Sequence, residues 1–396
     1  MNSTLQTWLD ERLAELKEQH LYKPLVEVQS PQGGRITVDG RRVVNLSSNN
    51  YLGLANHPKL KEAAIRAVRD WGAGAGAVRT IVGTMSLHEE LERRLAGFKH
   101  VEAAIVFQSG FTANAGAIPA VVTRDDAIIS DELNHASIID GCRLTGLPAQ
   151  QRPVYKHRDM ASLEEVLKAV QGYRKRLIIT DGVFSMDGDI APLPDIAALA
   201  ERYDAAVMVD DAHGSGVLGG GRGTAYHFGV HSRIDIQLGT LSKAVGAMGG
   251  YIAGSARLIN WLTQRARPFL FSTAHPPAVV AAAIAAIDLM ESDPSLTERL
   301  WENTRYWQSG LRAMGLDLGP TETPITPIMV GDEGKALELQ RGLFEEGVLA
   351  LAIVFPTVAR GKSRVRTMPN ASHDRAELDE ALEAVRRVGA RLGLLA

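Results

Sequence analysis

Residues 176–214 read RLIITDGVFSMDGDIAPLPDIAALAERYDAAVMVDDAHG. Leu177–Thr180 is a continuous β-forming run that stops on Asp181. Leu193–Tyr203 has the apolar spacing of a helix. Ala205–Val209 is a second apolar run, and it stops on Asp210 and Asp211. A run that is apolar on successive residues, not on every second one, suits a strand covered on both faces. Such strands alternating with helices form a parallel sheet. The rhythm extends both ways, through EAAIVFQSG (102–110) and DAIISDELNH (126–135) upstream and IDIQLGTLSK (234–243) and GGYIAGS (249–255) downstream. FTANAGAIPAVV (111–122) and MASLEEVLKAV (160–170) read as helices between them.

The expected fold is therefore α/β: a mostly parallel central sheet with helices on both faces, in a large domain over residues 49–280. Residues 1–48 read as a helix and two short strands around an Asp39-Gly40 turn. Residues 281–396 lose the rhythm and read as a smaller α+β domain. Apolar residues make up 45% of the 396 and charged residues 22%, the balance of an ordinary globular chain. A net charge of −3 gives no electrostatic case for nucleic acid or an anionic membrane. Cys142 is the one cysteine, which fits a reducing compartment. The first 24 residues carry charges throughout, with no apolar signal core, so a cytoplasmic location is expected.

In open parallel sheets, ligands bind beyond the carboxyl ends of the strands. The polar residues there are Ser109-Gly110-Phe111, Asn134-His135, Asp181 with Ser185, Asp210 with His213, and Thr240 with Lys243. Lys243 sits in LGTLSKAVGAMGG with no charged residue between Asp235 and Arg257. A neutral setting lowers the pKa of an amine and makes it a nucleophile. Ser109–Phe111 opens a helix, where free N–H groups favour an anion. Asp210 ends a buried strand and needs a cationic or hydrogen-bonding partner. Pyridoxal 5′-phosphate needs an amine for its aldehyde, an acid partner for its ring nitrogen and an anion cradle. Lys243, Asp210 and the Ser109–Phe111 turn with Thr240 supply the three. Taken singly, each could be a turn, cap or structural residue. Their joint placement at consecutive strand ends argues for one site.

Other motifs fail. GAGAGAV (72–78) follows a helix, not a strand, so it is no dinucleotide loop. GGGRG at 219 lacks the Lys-Ser/Thr of a P-loop, and His88 is followed by Glu89-Glu90-Leu91-Glu92, not by a zinc-protease pattern. No metal site is expected.

FQSGFTANAG, DELNHASIIDG, TDGVFSMDGD, VDDAHGSGVLG, TLSKAVGAMGGY and PFLFSTAHPP, with NLSSNNYLGLANHP near the start and SRVRTMPNASH near the end, together resemble the α-oxoamine synthases. These are fold-type I pyridoxal-phosphate transferases that join an amino acid to an acyl-CoA. The resemblance implies that Lys243 forms the Schiff base and moves the Cα proton, that Asp210 pairs with the ring nitrogen and that His135 stacks on the ring. It implies that His213 and Ser185 bind the phenolic oxygen, and that Ser109, Gly110, Phe111 and Thr240 lie near the phosphate. Ser272 and Thr273 would reach the phosphate of the neighbouring subunit, so a homodimer is implied. Arg366 would grip the substrate carboxylate and Asn50 would line the amino-acid site.

Val78 in GAVRTIVGT is apolar where succinyl-CoA users place polar groups, although Lys23 stands where a cation would help. With Arg79, this context favours glycine plus acetyl-CoA, a glycine C-acetyltransferase of threonine catabolism. The alternative is alanine plus pimeloyl-CoA with decarboxylation, the 8-amino-7-oxononanoate synthase reaction of biotin biosynthesis, or both activities in one enzyme.

Overall fold

The computed structural model describes residues 2–19, 21–22 and 25–395. Its centre is a seven-stranded sheet in the order Ala103–Phe107, Gly250–Gly254, Ile236–Thr240, Ala205–Asp210, Arg176–Asp181, Ala127–Asp131, Val154–Tyr155. All run parallel except Gly250–Gly254, which is antiparallel to both neighbours. The continuous apolar runs explain the layering. Leu177, Ile179 and Met208 bury against helices Gly110–Val121 and Ala136–Leu144 on one face. Ile178, Val207 and Val209 bury against helices Met160–Ala169 and Leu193–Arg202 on the other. Each fully buried aliphatic side chain contributes about 1.5–3 kcal/mol, and the buried Thr180 just before Asp181 gives its hydroxyl to Asp181 O (2.9 Å).

Two features of the sheet position the site. Asp181 lies opposite Asp210 in the parallel ladder, so two carboxylates end adjacent strands side by side. The antiparallel strand is joined to Thr240 by a tight connection that carries Lys243. It is closed by Leu241 N–H donating to Gly249 O (2.9 Å) and Ala247 N–H donating to Leu241 O (2.8 Å). Gly246 (φ 73°) and Gly249 (φ 135°) make turns that a side chain would strain.

The chain ends combine. Strands Arg35–Val38 and Arg41–Asn45 form a hairpin whose turn has Asp39 and Gly40 at positive φ. Arg41–Asn45 also pairs with Val348–Leu349 in parallel. Val44 and Leu46 therefore share a core with Trp307, Leu339, Val365 and Val385. A third sheet, Thr326–Gly331, Ser363–Thr367 and Leu351–Ile353, completes this smaller unit. Helix Pro277–Ser292 runs across the 280/281 division read from the sequence and buries Val280, Ala283 and Ile287 in the core that holds Leu60 and Leu91. Helix Ser3–Glu18 buries none of its residues, and Leu5, Trp8, Leu9, Leu13 and Leu16 lie exposed along it. Among the described residues no helix is long and apolar enough to cross a membrane.

Candidate active site

The carboxyl ends of the sheet bring the strand-end residues into one cleft. Asp210 is buried. Its Oδ2 accepts from Asn114 Nδ2 (2.7 Å) and its Oδ1 from the Ala212 N–H (3.1 Å). Asn114 Nδ2 also donates to Ser137 Oγ (2.9 Å), and Ser137 Oγ lies 2.7 Å from His135 Nδ1. Asp181 Oδ2 accepts the His135 N–H (2.8 Å), while Asn134 bridges the strands by accepting the Asp181 N–H (2.8 Å) and donating to Ile179 O (2.8 Å). His213 is buried with Nδ1 2.7 Å from the Tyr51 hydroxyl.

Charge in this cleft is tightly shared. Burial pushes the Lys243 ammonium down to about 8, against the pull of Asp210 and Asp181. Burial raises Asp210, and Lys243, Asn114, the Ala212 N–H and His135 oppose it. Asp181 is driven well above the usual carboxylate range, first by burial and then by the neighbouring Asp210 charge. His213 is held well below its usual range by burial, then by Lys243, Arg366 and His135, so it is neutral near pH 7. Partial burial lowers His135; Asp210 pulls the other way and Lys243 adds to the lowering.

Beside this cluster, Ser109 caps helix Gly110–Val121 with its Oγ accepting the Thr112 N–H (3.1 Å). A Cβ on Gly110 would lie 3.6 Å from Thr240 Cβ, which places Thr240 against the helix N-terminus. A Cβ on Gly250 would fall 2.4 Å from Ser109 O and 2.5 Å from Gly110 N, so this approach requires glycine there. Phe111 is exposed at the helix start. Thr273 pairs with Val78 and accepts Gln108 Nε2 on its carbonyl (2.9 Å); its side chain and that of Ser272 are not buried.

From the smaller unit, Arg366 reaches over and donates Nη1 to Ser185 O (2.8 Å), with burial lowering its pKa and Tyr51 opposing. Asn50 is buried with Oδ1 accepting the Ala55 N–H (3.1 Å) and Nδ2 unpaired. Lys23 lies outside the described residues. The Arg79 guanidinium is locked bidentately to Glu92 (2.8 and 2.9 Å), and Glu92 in turn accepts the Val106 N–H (3.0 Å). The pair braces the π-helical turn Arg79–Gly83. Ile81 and Val82 on that turn stand out at 75% exposure each.

These residues fit pyridoxal 5′-phosphate. An amine of lowered pKa, a buried carboxylate whose two oxygens are already fixed, a helix N-terminus on which Gly250 packs too closely for a Cβ, and an unpaired buried amide surround one cleft. When bound, the cofactor supplies an electron sink for a negative charge at the amino-acid Cα. Fold and site together define a pyridoxal-phosphate-dependent enzyme of fold type I.

Residues 41–385 match the family described as aminotransferase class I and II. The 8-amino-7-oxononanoate synthase of Symbiobacterium thermophilum is 60% identical over 99% of this chain and 100% of its own. That of Thermoanaerobacter pseudethanolicus is 59% identical over 98% of both. A serine palmitoyltransferase from S. paucimobilis, solved with PLP and myriocin bound, superposes with a TM-score of 0.92 at 29% identity over 99% of both chains. The chain belongs to the aminotransferase class I and II family and, within it, to the α-oxoamine synthases. The reading of glycine with acetyl-CoA finds no support among these relatives, which carry the name of the alternative reaction.

Tyr51, Asn114 and Ser137 were not singled out from the sequence. All three lie inside quoted motifs, but nothing local marked them out; the partner of Tyr51, His213, is 162 residues away.

Proposed function

We propose that this chain condenses L-alanine with pimeloyl-CoA, releasing coenzyme A and CO2 and forming 8-amino-7-oxononanoate. The observation that carries the reading is near-complete coverage at 59–60% identity by relatives of that name. The exposed Ile81 and Val82 beside Val78 support it, since they offer apolar surface to a methylene chain.

Lys243 holds the cofactor's aldehyde carbon through its amine, and its lowered pKa suits it to take the Cα proton of the bound amino acid. Asp210, its oxygens fixed by Asn114 and the Ala212 N–H, would pair with the ring nitrogen. His135 would offer its ring as a stacking surface. The Tyr51 hydroxyl lies 2.7 Å from His213 Nδ1; with that hydroxyl as donor, the imidazole proton would sit on Nε2, to meet the phenolic oxygen together with Ser185. Ser109, Gly110, Phe111 and Thr240 hold the phosphate, joined by Ser272 and Thr273 of a second subunit. Arg366 and Asn50 hold the amino-acid carboxylate. The bound cofactor would supply the electron sink for negative charge at Cα, and Lys243 would take the Cα proton and return one there after coenzyme A and CO2 have left.

Thiol release tests this. Alanine with pimeloyl-CoA is expected to give the highest kcat/KM, with equimolar CO2. A higher value for glycine with acetyl-CoA would overturn the substrate assignment, and absence of thiol from every pair would overturn acyl transfer.

A further inference from the structure

His157 lies outside the cofactor cleft, yet it joins two of the loops that build it. Its Nδ1 is 3.0 Å from Asp131 Oδ1 and its Nε2 is 2.7 Å from Asp189 Oδ2, and both carboxylates are buried. A neutral imidazole carries one N–H and can satisfy one of these acceptors; satisfying both takes the imidazolium. Asp131 ends the strand that leads to His135 and fixes that turn by accepting the Leu133 N–H (2.9 Å). Asp189 closes the loop 183–190, whose ends are bridged at Val183 and Ile190.

That second loop is the dock for the smaller unit. Ser185 O accepts Arg366, Met186 O and Asp187 accept Arg364, and Gly188 O accepts Thr323 Oγ1 (2.9 Å) and the Glu322 N–H (3.0 Å). Nothing else among its bonds needs a proton that titrates near neutrality.

We propose that protonated His157 is a positioning residue for amino-acid binding: it ties the His135 turn to the Ser185–Asp189 loop and thereby sets where Arg366 presents its guanidinium. This rests on the reading of Arg366 as the carboxylate-binding group. The surroundings favour the cation. Asp131 and Asp189 face the ring nitrogens, Glu132 accepts the His157 backbone N–H (2.8 Å), and Phe184 stands edge-on at 4.4 Å. Arg158 is the opposing charge, bonded to both Asp189 and Glu322 (3.2 Å each), while Asp181 and Tyr155 lie behind Asp131. Burial works against the proton, but the two carboxylates win and hold the imidazole up to about 9.

The sign follows. A histidine whose folded pKa exceeds its unfolded value of 6.5 keeps its contribution below that value and loses it as pH rises through about 9. The clamp is closed at neutral pH and opens on the alkaline side.

Two readouts on the holoenzyme test this, and neither uses the thioester. Nitrogen-15 histidine NMR, assigned with His157→Gln, is expected to show both ring nitrogens of His157 protonated at pH 7. A neutral ring there overturns the proposal. The amino-acid dissociation constant is read from the cofactor's absorbance with L-alanine alone, and with glycine as a second probe. Losing one charge-assisted contact in His157→Gln is expected to raise it about tenfold, with cofactor content unchanged. The wild-type constant should also rise above pH 9, and that rise should vanish in the variant. Asp189→Asn, nearly isosteric, should weaken amino-acid binding in the same way and lower the His157 pKa. If both variants bind amino acid as the wild type does, or lose cofactor in parallel with amino acid, His157 is a stability element and the proposal fails. Failure of pimeloyl-CoA to react would leave these readouts untouched.

Discussion

At the residue scale, the cleft is an argument about where protons sit. Lys243 is the group whose environment departs furthest from a surface lysine, with its ammonium brought down to about 8 by burial. Its neutral form attacks the aldehyde, so cofactor loading of the apoenzyme should speed up as pH rises to about 8 and then level. A surface lysine would keep gaining toward ~10.4. Stopped-flow absorbance measures this, and Lys243→Ala should leave no cofactor fixed by borohydride. Asn114 makes a different test. It is fully buried and donates one amide to Asp210 and Ser137. Asn114→Ala strips a buried carboxylate of a charge-assisted donor, at a cost of about 1.5–3 kcal/mol, or roughly ten- to a hundredfold in kcat/KM. A change under twofold would remove Asn114 from the account of Asp210. Several of the proposed site residues stood out because they end apolar runs, as Asp181, Asp210 and Thr240 do, while Asn50, Ser272, Thr273 and Arg366 came from the family resemblance alone. Asn114, Ser137 and Tyr51 did not stand out, because a supporting hydrogen bond leaves no periodic trace in the chain.

At the scale of elements, the turn after Asp210 shows how a strand end is kept rigid. Asp211 points away from the cleft, accepts the Thr224 N–H and hydroxyl, and pairs with Lys99 at 3.3 Å. Lys99 and Asp211 side chains are 1% and 2% exposed, and Lys99 also donates to Arg222 O. Gly223 packs so closely on Asp211, at φ 104°, that no side chain fits. Lys99→Met leaves the Asp211 charge buried without its cation, and should cost about 3–5 kcal/mol in denaturant unfolding. The cofactor's absorbance should stay that of wild type in the fraction that remains folded, since Lys99 touches none of the cleft groups. Strands and helices of the sheet were readable from burial pattern. The Gly219–Gly223 stretch was set aside as a phosphate loop because it lacks the Lys-Ser/Thr pair, and its use as packing around Asp211 depends on contacts 112 residues apart in the Lys99 pair.

At the scale of the whole molecule, apolar side chains stand on the outside in places that a single copy leaves uncovered. Trp8 and Leu13 on the first helix, Ile81 and Val82 on the π-helical turn, and Phe271 before Ser272 are all exposed. Patches of this kind mark contact sites, and the proposed homodimer, with Ser272 and Thr273 reaching the neighbouring phosphate, would account for the last of them. Light scattering should give twice the chain mass. Mixing Lys243→Ala with a Ser272→Ala/Thr273→Ala double variant should restore activity, up to about one quarter to one half of wild type, if the sites are shared. No restoration would mean that each chain holds its own phosphate. By itself the sequence determined the layered α/β sheet, the order of its chemistry and the cofactor, because strand burial and strand-end residues are local properties of the chain. It did not determine the substrate pair, since the Val78–Arg79 context favoured glycine with acetyl-CoA while relatives at 59–60% identity carry the name of the alternative. Only the tertiary structure placed Asp181 beside Asp210, paired Arg41–Asn45 with Val348–Leu349 and set His157 between Asp131 and Asp189. Those relations depend on strand register and on loops meeting across long separations, and no local pattern of residues encodes them.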